Sequence, residues 1–442
     1  MENKTTKQRP TLLTIWIYAF GQLGWSLAAF GVGSLLNNFY LPPETGNTTF
    51  PSYLPTITIM GLTLLGIISF SGRLLDAFTD PLVANISDKS QNQFGKRKLF
   101  MGIAALPLAL FSYLIFVPNT EGVSEANVWW LVLTVFLYYI SFAFYVIPYS
   151  ALISELGHVK EDRLKISMII SITWAIGYVI GGMNFAIRSY FEHQGYTPVA
   201  AFQSTMALFA VISAIFMLIP VLFLNEKKYA VQGEAQENLS KSLNAVFQNR
   251  NFRYFSGMYL LYWLALTFIQ ASIIYYVELL FGMDKNMASV FSLVSSIASF
   301  LFYPLMSFFE KKYGKKQTIL TGFIVLISIF TIVLLPLPST LQFWSIAILA
   351  AFPLATFGIL PNIFVADIVH QNEVETGKNQ AGMFYAMAAF MMKVGISLAN
   401  LIFPSLLILG KSKTNPMGVQ LTILAAILFC GLGYMVFKKY EE

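Results

Sequence analysis

The sequence predicts an all-α integral membrane protein with twelve transmembrane helices in two six-helix repeats. Three observations predict it: the composition, a count of apolar runs, and an internal repeat. Of 442 residues, 56% are hydrophobic and 11% are charged, with a mean hydropathy of +0.65. That leaves too little charge to cover a water-soluble surface and excludes an ordinary soluble enzyme. The formal charge of +6 and pI near 9.1 would suit a nucleic-acid partner. The basic residues, however, sit in short clusters between apolar stretches rather than on a basic domain, so no nucleic acid is expected. A single cysteine, Cys430, excludes an intrachain disulfide and a thiolate metal cluster.

A spanning helix needs about 20 mostly apolar residues. Runs of this kind cover 12–39, 55–86, 98–117, 127–155, 164–189 and 199–224, then 254–281, 286–309, 317–335, 341–367, 380–409 and 417–437. Lys4, Lys7 and Arg9 precede a first run that is too long for a signal-peptide core and has no small-residue cleavage site, so it stays as a helix. The longest polar break, 225–253, carries Lys227, Lys228, Lys241 and Arg250 and divides the runs six and six. The predicted organisation is a half at 1–224, a central cytoplasmic linker at 225–253 and a second half at 254–442. Placing both termini in the cytoplasm leaves Arg188, Lys285, Lys411 and Lys413 outside and Arg73 and Lys393 within spans, in keeping with the positive-inside rule. Trp129 and Trp130, at the start of the fourth run, predict an interfacial aromatic belt.

The repeat shows in short motifs. PLVANISDKSQNQFGKRK (81–98) ends the second span and PLMSFFEKKYGKK (304–316) ends the eighth, while IPYSALISEL (147–156) and LPNIFVADIV (360–369) occupy corresponding parts of the fourth and tenth. Two parallel six-helix repeats, each with a basic turn after its second helix, resemble the major facilitator architecture, whose substrate path lies between the halves. A channel or a membrane-bound enzyme with twelve helices does not predict this repeat. No Walker-type motif offers ATP coupling, and GYVIGG (177–182) reads as a site of close helix contact. His158, His193 and His370 lack the spacing of metal ligands.

An ionisable side chain at the bilayer centre costs about 2.5–3.5 kcal/mol on insertion scales, so charges inside spans are candidates for function. In GRLLDAFTDP (72–81), Arg73, Asp76 and Asp80 share one helical face, because residues three and four apart stack, and Thr79 adds a hydroxyl. Two carboxylates a turn apart repel when both ionise, which favours a shared proton or a bound cation. The simpler alternative pairs Arg73 with Asp76 to lock the helix. Lys393 lies mid-run without an acid within a helical turn, so its counter-charge is expected from another helix, Asp76 or Asp80; snorkelling is the alternative. Glu155 and Asp367 end the fourth and tenth helices, where they are expected to pair with basic loops, Lys96 and Arg97 among them, as a cytoplasmic gate. Glu278, near the outer end of the seventh helix, reads as solvated.

GRLLDAFTDP followed by GKRK (95–98) resembles the signature of the glycoside-pentoside-hexuronide cation symporters, the family of the melibiose permeases. IPYSALISEL with EDR (161–163), and ADIVHQNEVETGK (366–378) running into GMFY (382–385) and KVG (393–395), are similar to further family patterns in both halves. The resemblance implies that Asp76, Asp80 and Thr79 hold a coupling cation, Na⁺, H⁺ or Li⁺, and that Lys393 links cation to cargo; Arg73, from the reading of charges within spans, is its expected companion in the charge pair. No other cofactor or metal is implied. The related eukaryotic sodium-dependent lysophosphatidylcholine symporters share the aspartates and the lysine.

The sugar-binding set departs from the family pattern: Ser26 and Val146 stand where melibiose permeases have acids, Ser150 replaces a tryptophan and Ser171 an arginine. Trp25, Ser26, Asn37, Asn38, Tyr145, Tyr149 and Ser150 are the expected cavity residues, suited to a sugar held by stacking and neutral hydrogen bonds or to a more apolar solute. The expected activity is cation-coupled symport of a glycoside or related carbohydrate, by a monomer in the inner or plasma membrane. The alternatives are a lysophospholipid or another amphipathic solute, and, from another class, a non-transporting sensor. No catalytic constellation points to an enzyme. The sequon-like NTT (47–49) at Asn47 matters only in a glycosylating pathway.

Overall fold

The computed structural model describes residues 8–45, 50–56, 58–90, 92, 94–157, 159–230, 248–376 and 381–441. Lys4, Lys7, Asn47, His158, Lys241, Gly377 and Lys378 lie outside the described residues, as does 231–247 of the expected linker.

In an apolar medium a backbone must satisfy its own polar groups, and long apolar runs do so as helices. The first part of the chain forms α1 (Leu12–Tyr40), a hairpin of β1 (Thr58–Ile59) and β2 (Leu62–Thr63), α2 (Leu64–Lys89), α3 (Lys98–Leu114), α4 (Glu125–Leu156), α5 (Lys160–Gly182), α6 (Asn184–His193), α7 (Pro198–Phe223) and the short α8 (Glu226–Tyr229). The remainder forms α9 (Arg250–Tyr275), which runs on into a π-helical turn (Tyr276–Leu280), then α10 (Asn286–Tyr313), α11 (Lys315–Leu334), α12 (Ser339–Leu349), α13 (Ala351–Thr376), α14 (Ala381–Leu407) and α15 (Met417–Lys438). Side-chain caps mark several starts. Ser124 accepts from the Asn127 N–H before α4, Thr197 accepts from Ala200 and is followed by Pro198 at α7, and Asn249 accepts from Phe252 at α9.

Among the described residues, ten helical rods are long and apolar enough to cross a membrane, with α5 and α6, α9 and its π turn, and α12 and α13 each counted as one. The other two of the twelve expected are α2 and α3. Helix α2 carries Arg73, Asp76, Asp80, Asp88 and Lys89, and α3 has 17 residues, about 25 Å of helix. Turn-type bonds of Ile115, Phe116 and Val117 lengthen α3 further.

The second run differs from expectation at its start. Its first residues form the hairpin, with Thr58 opposite Thr63 and Ile59 opposite Leu62. Met60 and Gly61 make the turn at φ of 53° and 80°, the doubly left-handed geometry that joins two strands most tightly. The fifth run breaks at Met183, directly after Gly181 and Gly182.

The chain packs into two compact units. Unit 1 takes α1 as far as Phe39, Pro51–Pro55, and the chain from Leu75 through α8. Unit 2 takes the segment after Phe39, Thr56–Leu74, and everything from α9 onward. The division therefore passes through α2 between Leu74 and Leu75.

In unit 1, α5 lies directly on α1. A Cβ added to Gly177 would sit 2.1 Å from Ser26 Oγ and 3.0 Å from the Leu23 carbonyl oxygen, so only glycine permits the crossing. In unit 2, residues 41–44 form a strap against the loop before α15. The Glu44 N–H donates to the Lys411 carbonyl (2.8 Å), Lys411 Nζ bonds Glu44 Oε1 (2.7 Å) and the Pro42 carbonyl (2.9 Å), and the Tyr275 hydroxyl donates to the Leu41 carbonyl (2.6 Å).

Gly177→Ala should lower stability by about 1–3 kcal/mol, the usual cost of overpacking. Adding Ser26→Ala should restore part of the loss, because the nearest obstructing atom is removed. Thermal denaturation of the two variants in detergent checks this, and a double variant no more stable than G177A would count against the crossing.

Candidate functional site

The charged face of α2 is built locally. Arg73, Asp76 and Asp80 follow one another at three and four residues, so they lie on one side of the helix. Asp76 is completely buried (0% exposed), whereas Arg73, Thr79 and Asp80 are half-buried. The Thr79 hydroxyl donates to the Asp76 carbonyl (3.1 Å), which commits its proton and leaves its oxygen available as an acceptor. Pro81 lies inside the helix and has no N–H, so the Ala77 carbonyl loses its helical donor. This backbone oxygen was not anticipated from the sequence, although Pro81 was its signal. Among the described residues, no three His, Cys, Asp or Glu side chains gather as metal ligands. A cation at α2 would meet two carboxylates and neutral oxygens, a donor set suited to a hard monovalent ion or a proton.

Lys393 lies on α14 and is 7% exposed. Ser397, one turn on, donates to the Lys393 carbonyl (2.7 Å). Gly395 seats α14 on α9, since a Cβ there would come within 2.4 Å of the Leu260 carbonyl oxygen. The structure thus places Lys393 in unit 2 and Asp76, Thr79 and Asp80 in unit 1, with Arg73 on the unit 2 part of α2.

The expected cavity residues divide by burial. Trp25 is half-buried and meets Phe142 edge-on at 5.6 Å, while Ser150 is exposed. Ser26 is buried at the Gly177 crossing and donates to the Leu23 carbonyl (3.0 Å). Tyr145 and Tyr149 are buried in the interior of unit 1. Tyr145 donates to the Met217 carbonyl (2.8 Å), and Tyr149 and Tyr18 stack at 4.4 Å while donating to each other's carbonyl oxygens (3.1 and 2.6 Å). Asn37 and Asn38 are buried near the end of α1, where Asn38 Oδ1 accepts from Arg188 Nη1 (2.8 Å). Arg188, counted on the outer side at the end of the fifth run, is buried in α6 with its guanidinium 4.6 Å from the Phe202 ring centre.

The basic turn after α2 forms a buried network in unit 1. Arg97 is 5% exposed. Its Nε and Nη2 donate to Glu155 Oε1 (2.9 and 2.7 Å), Nη1 donates to Ser87 Oγ (2.7 Å), and Nη2 also pairs with Asp88 at 2.5 Å. Burial by itself lowers the proton affinity of the guanidinium, but Glu155 and Asp88 outweigh it and hold Arg97 above its ordinary value. Lys96 stands 3.8 Å from Asp88. Glu226, which the sequence did not single out, accepts from the backbone N–H groups of Arg97 (3.0 Å) and Lys98 (2.9 Å), placing a carboxylate at the positive end of α3. In unit 2, Lys315 pairs with Asp367 at 2.7 Å, and both are substantially exposed, 31% and 48%.

The sequence model of the family described as MFS/sugar transport protein matches residues 18–431. The chain belongs to that family. Members are multi-pass membrane transporters rather than enzymes. Among curated relatives, the glucuronide carrier protein homolog of Escherichia coli is 23% identical over 95% of each chain. A putative glycoside/cation symporter of Escherichia coli is 22% identical over 83% of this chain and 80% of its own. Sodium-dependent lysophosphatidylcholine symporter 1 of Xenopus tropicalis is 24% identical over 85% and 79%. The crystal structure of the nucleoside transporter NupG shares the fold, with a TM-score of 0.66 at 15% identity over 97% of this chain and 99% of that one.

The two basic turns of this MFS transporter should differ in energetic weight. Glu155→Gln breaks a buried pair and should cost about 3–5 kcal/mol, whereas Asp367→Asn breaks a solvated one and should cost under about 1 kcal/mol. Denaturation of each variant in the same detergent makes the comparison, and equal losses would contradict it.

Proposed function

We propose that the protein is a cation-coupled symporter of a small glycoside or related carbohydrate, cycling by alternating access. The observation that carries this reading is the fully buried Asp76, one turn from Asp80 on a helix that also offers the Thr79 hydroxyl and the Ala77 carbonyl. A carboxylate held in an apolar rod has a large penalty to offset, and a bound cation or proton offsets it. The relatives named as a glucuronide carrier and a glycoside/cation symporter support the same reading for cargo and coupling.

In this reading Na⁺ or H⁺, with Li⁺ as a substitute, neutralises the Asp76 and Asp80 pair. Arg73 and Lys393 adjust to the change in charge, so that closure is easy when cation and cargo are both bound or both absent. The segments 1–224 and 254–442 act as the two moving halves, joined by 225–253, and Arg97 with Glu155 and Lys315 with Asp367 serve as charges of the cytoplasmic gate. Trp25 and Ser150 belong to the cargo surface, while Ser26, Asn38, Tyr145 and Tyr149 support it from behind through the bonds described above. Both termini face the cytoplasm, and the chain works as a monomer in the cell membrane.

A second reading, symport of a lysophospholipid, draws support from the lysophosphatidylcholine symporter at 24% identity. It also suits Ser26 and Val146, which leave this chain without acids at those sugar-binding positions.

Uptake of radiolabelled methyl β-D-glucuronide and of lysophosphatidylcholine into proteoliposomes, under an imposed Na⁺ or H⁺ gradient, separates the readings. Gradient-driven accumulation of the glucuronide is expected. Asp76→Asn and Asp80→Asn should each reduce it at least 100-fold, in line with loss of about 3 kcal/mol of coupling. Full uphill uptake in both variants would refute the cation site.

A further inference from the structure

Helices α3 and α7 pack side by side in unit 1. Gly102 permits the approach, since a Cβ there would stand 3.1 Å from Val221 Cγ1. Just beyond this crossing α3 begins at Lys98 and α7 ends at Phe223. A cleft of about 370 Å³ opens between the two ends, bounded by Phe94 and Lys98 on one side and by residues 222–227 on the other. Two apolar helices give way to polar chain here, so the cleft lies at the level where lipid headgroups meet water, on the cytoplasmic side in the orientation proposed above.

The charges of the cleft differ in what already satisfies them. Among the described residues that line it, Glu226 is the one acid. Both of its carboxylate oxygens accept from the backbone N–H groups of Arg97 (3.0 Å) and Lys98 (2.9 Å), so the positive end of α3 is already occupied. An incoming anion must therefore be held by side chains. Lys98 Nζ donates to the Leu224 carbonyl (2.7 Å), which fixes the ammonium at the cleft and uses one of its three protons. Lys227 adds a second, exposed cation from the other wall.

The apolar side of the cleft is as marked as the basic one. Leu222 and Phe223 are 65% and 68% exposed on the last turn of α7, and Phe94 is 80% exposed in the polar turn before GKRK. Large apolar groups open to the surroundings at a membrane boundary are contacts for hydrocarbon, and a free phosphate ion would gain nothing from them. A molecule that sets a phosphate against two lysines and continues into acyl chains beside Phe94 and Phe223 meets both sides. A headgroup with its own ammonium would bring a like charge to Lys98 and Lys227, which favours a headgroup whose net charge is negative.

We propose that this cleft is a binding site for an anionic phospholipid of the surrounding leaflet. The phosphate accepts from Lys98 and Lys227, and the chains lie along the last turn of α7. The site is separate from the charged face of α2 and does not depend on which solute is carried.

The test uses the full-length protein in mild detergent, with bound lipid counted by native mass spectrometry during titration with dioleoylphosphatidylglycerol or dioleoylphosphatidylcholine. Phosphatidylglycerol should bind about tenfold more tightly than phosphatidylcholine, the scale set by two lysines at a membrane surface. Lys227→Gln changes an exposed position and should weaken phosphatidylglycerol binding about fivefold at an unchanged melting temperature. Adding Lys98→Gln should abolish the preference; because Lys98 also fastens Leu224, K227Q alone decides the matter if the double variant does not fold. Parental affinity for phosphatidylglycerol in K227Q, or equal binding of the two lipids by the unaltered protein, would overturn the proposal. Displacement of phosphatidylglycerol by millimolar inorganic phosphate would overturn it as well, by showing a site for a soluble anion.

Discussion

A carboxyl side chain enclosed in an apolar helical rod sets the terms for much of this molecule, because burying Asp76 there is costly unless polar or charged groups close at hand compensate it. The neighbouring sequence bears the mark of that requirement. Thr79 turns its proton to the backbone and Pro81 releases the Ala77 carbonyl, so α2 gathers oxygen acceptors where an ordinary spanning helix has none. Lys393 poses the mirror problem in unit 2, where a buried ammonium lies on a helix pressed against α9 by Gly395. Helices that hide charge this way are costly as scaffolding, and their cost is understandable when the charges take part in an exchange.

What the sequence made legible follows from range. Helical rods depend on local composition, so most ends of the twelve apolar runs could be marked within a few residues, while the second helix starts well after 55, at Leu64, and the tenth runs past 367 to Thr376; the shared face of Asp76 and Asp80 depends on spacing within one helix. The hairpin at 58–63 was hidden because its residues are as apolar as a span and its turn uses Met60 at a positive φ, a choice that no local signal advertises. Arg188 shows what a charge count leaves out, because a count assigns a side of the membrane and says nothing of the packing by which this arginine is held by Asn38 and the face of Phe202. Tyr145 and Tyr149 have the composition of cavity residues, yet their hydroxyls are met by carbonyls on α7 and α1 that only the folded chain brings near. Glu226 reaches Arg97 and Lys98 across more than a hundred positions, beyond any pattern read along the chain.

The two basic turns show how a repeated motif acquires different physics from its surroundings. GKRK places an arginine among Glu155, Asp88 and Ser87 with almost no solvent, so its field is screened little by salt. The YGKK turn in the other repeat leaves its lysine and Asp367 in contact with water, where ions weaken the attraction. The duplication preserved a sequence pattern, and burial divided it into a stiff fastening in unit 1 and a compliant one in unit 2.

The strap at 41–44 has a bearing on how the chain is made. Its partners, Tyr275 and Lys411, are synthesised long after it, the second of them shortly before α15. The exit from the first helix therefore stays unfastened while nearly the whole protein is threaded into the bilayer. A ribosome that stops short of Lys411 releases a chain whose earliest loop has no docking place, and quality-control proteases that read loose loops would meet the defect near the N-terminus although the missing residues are at the other end.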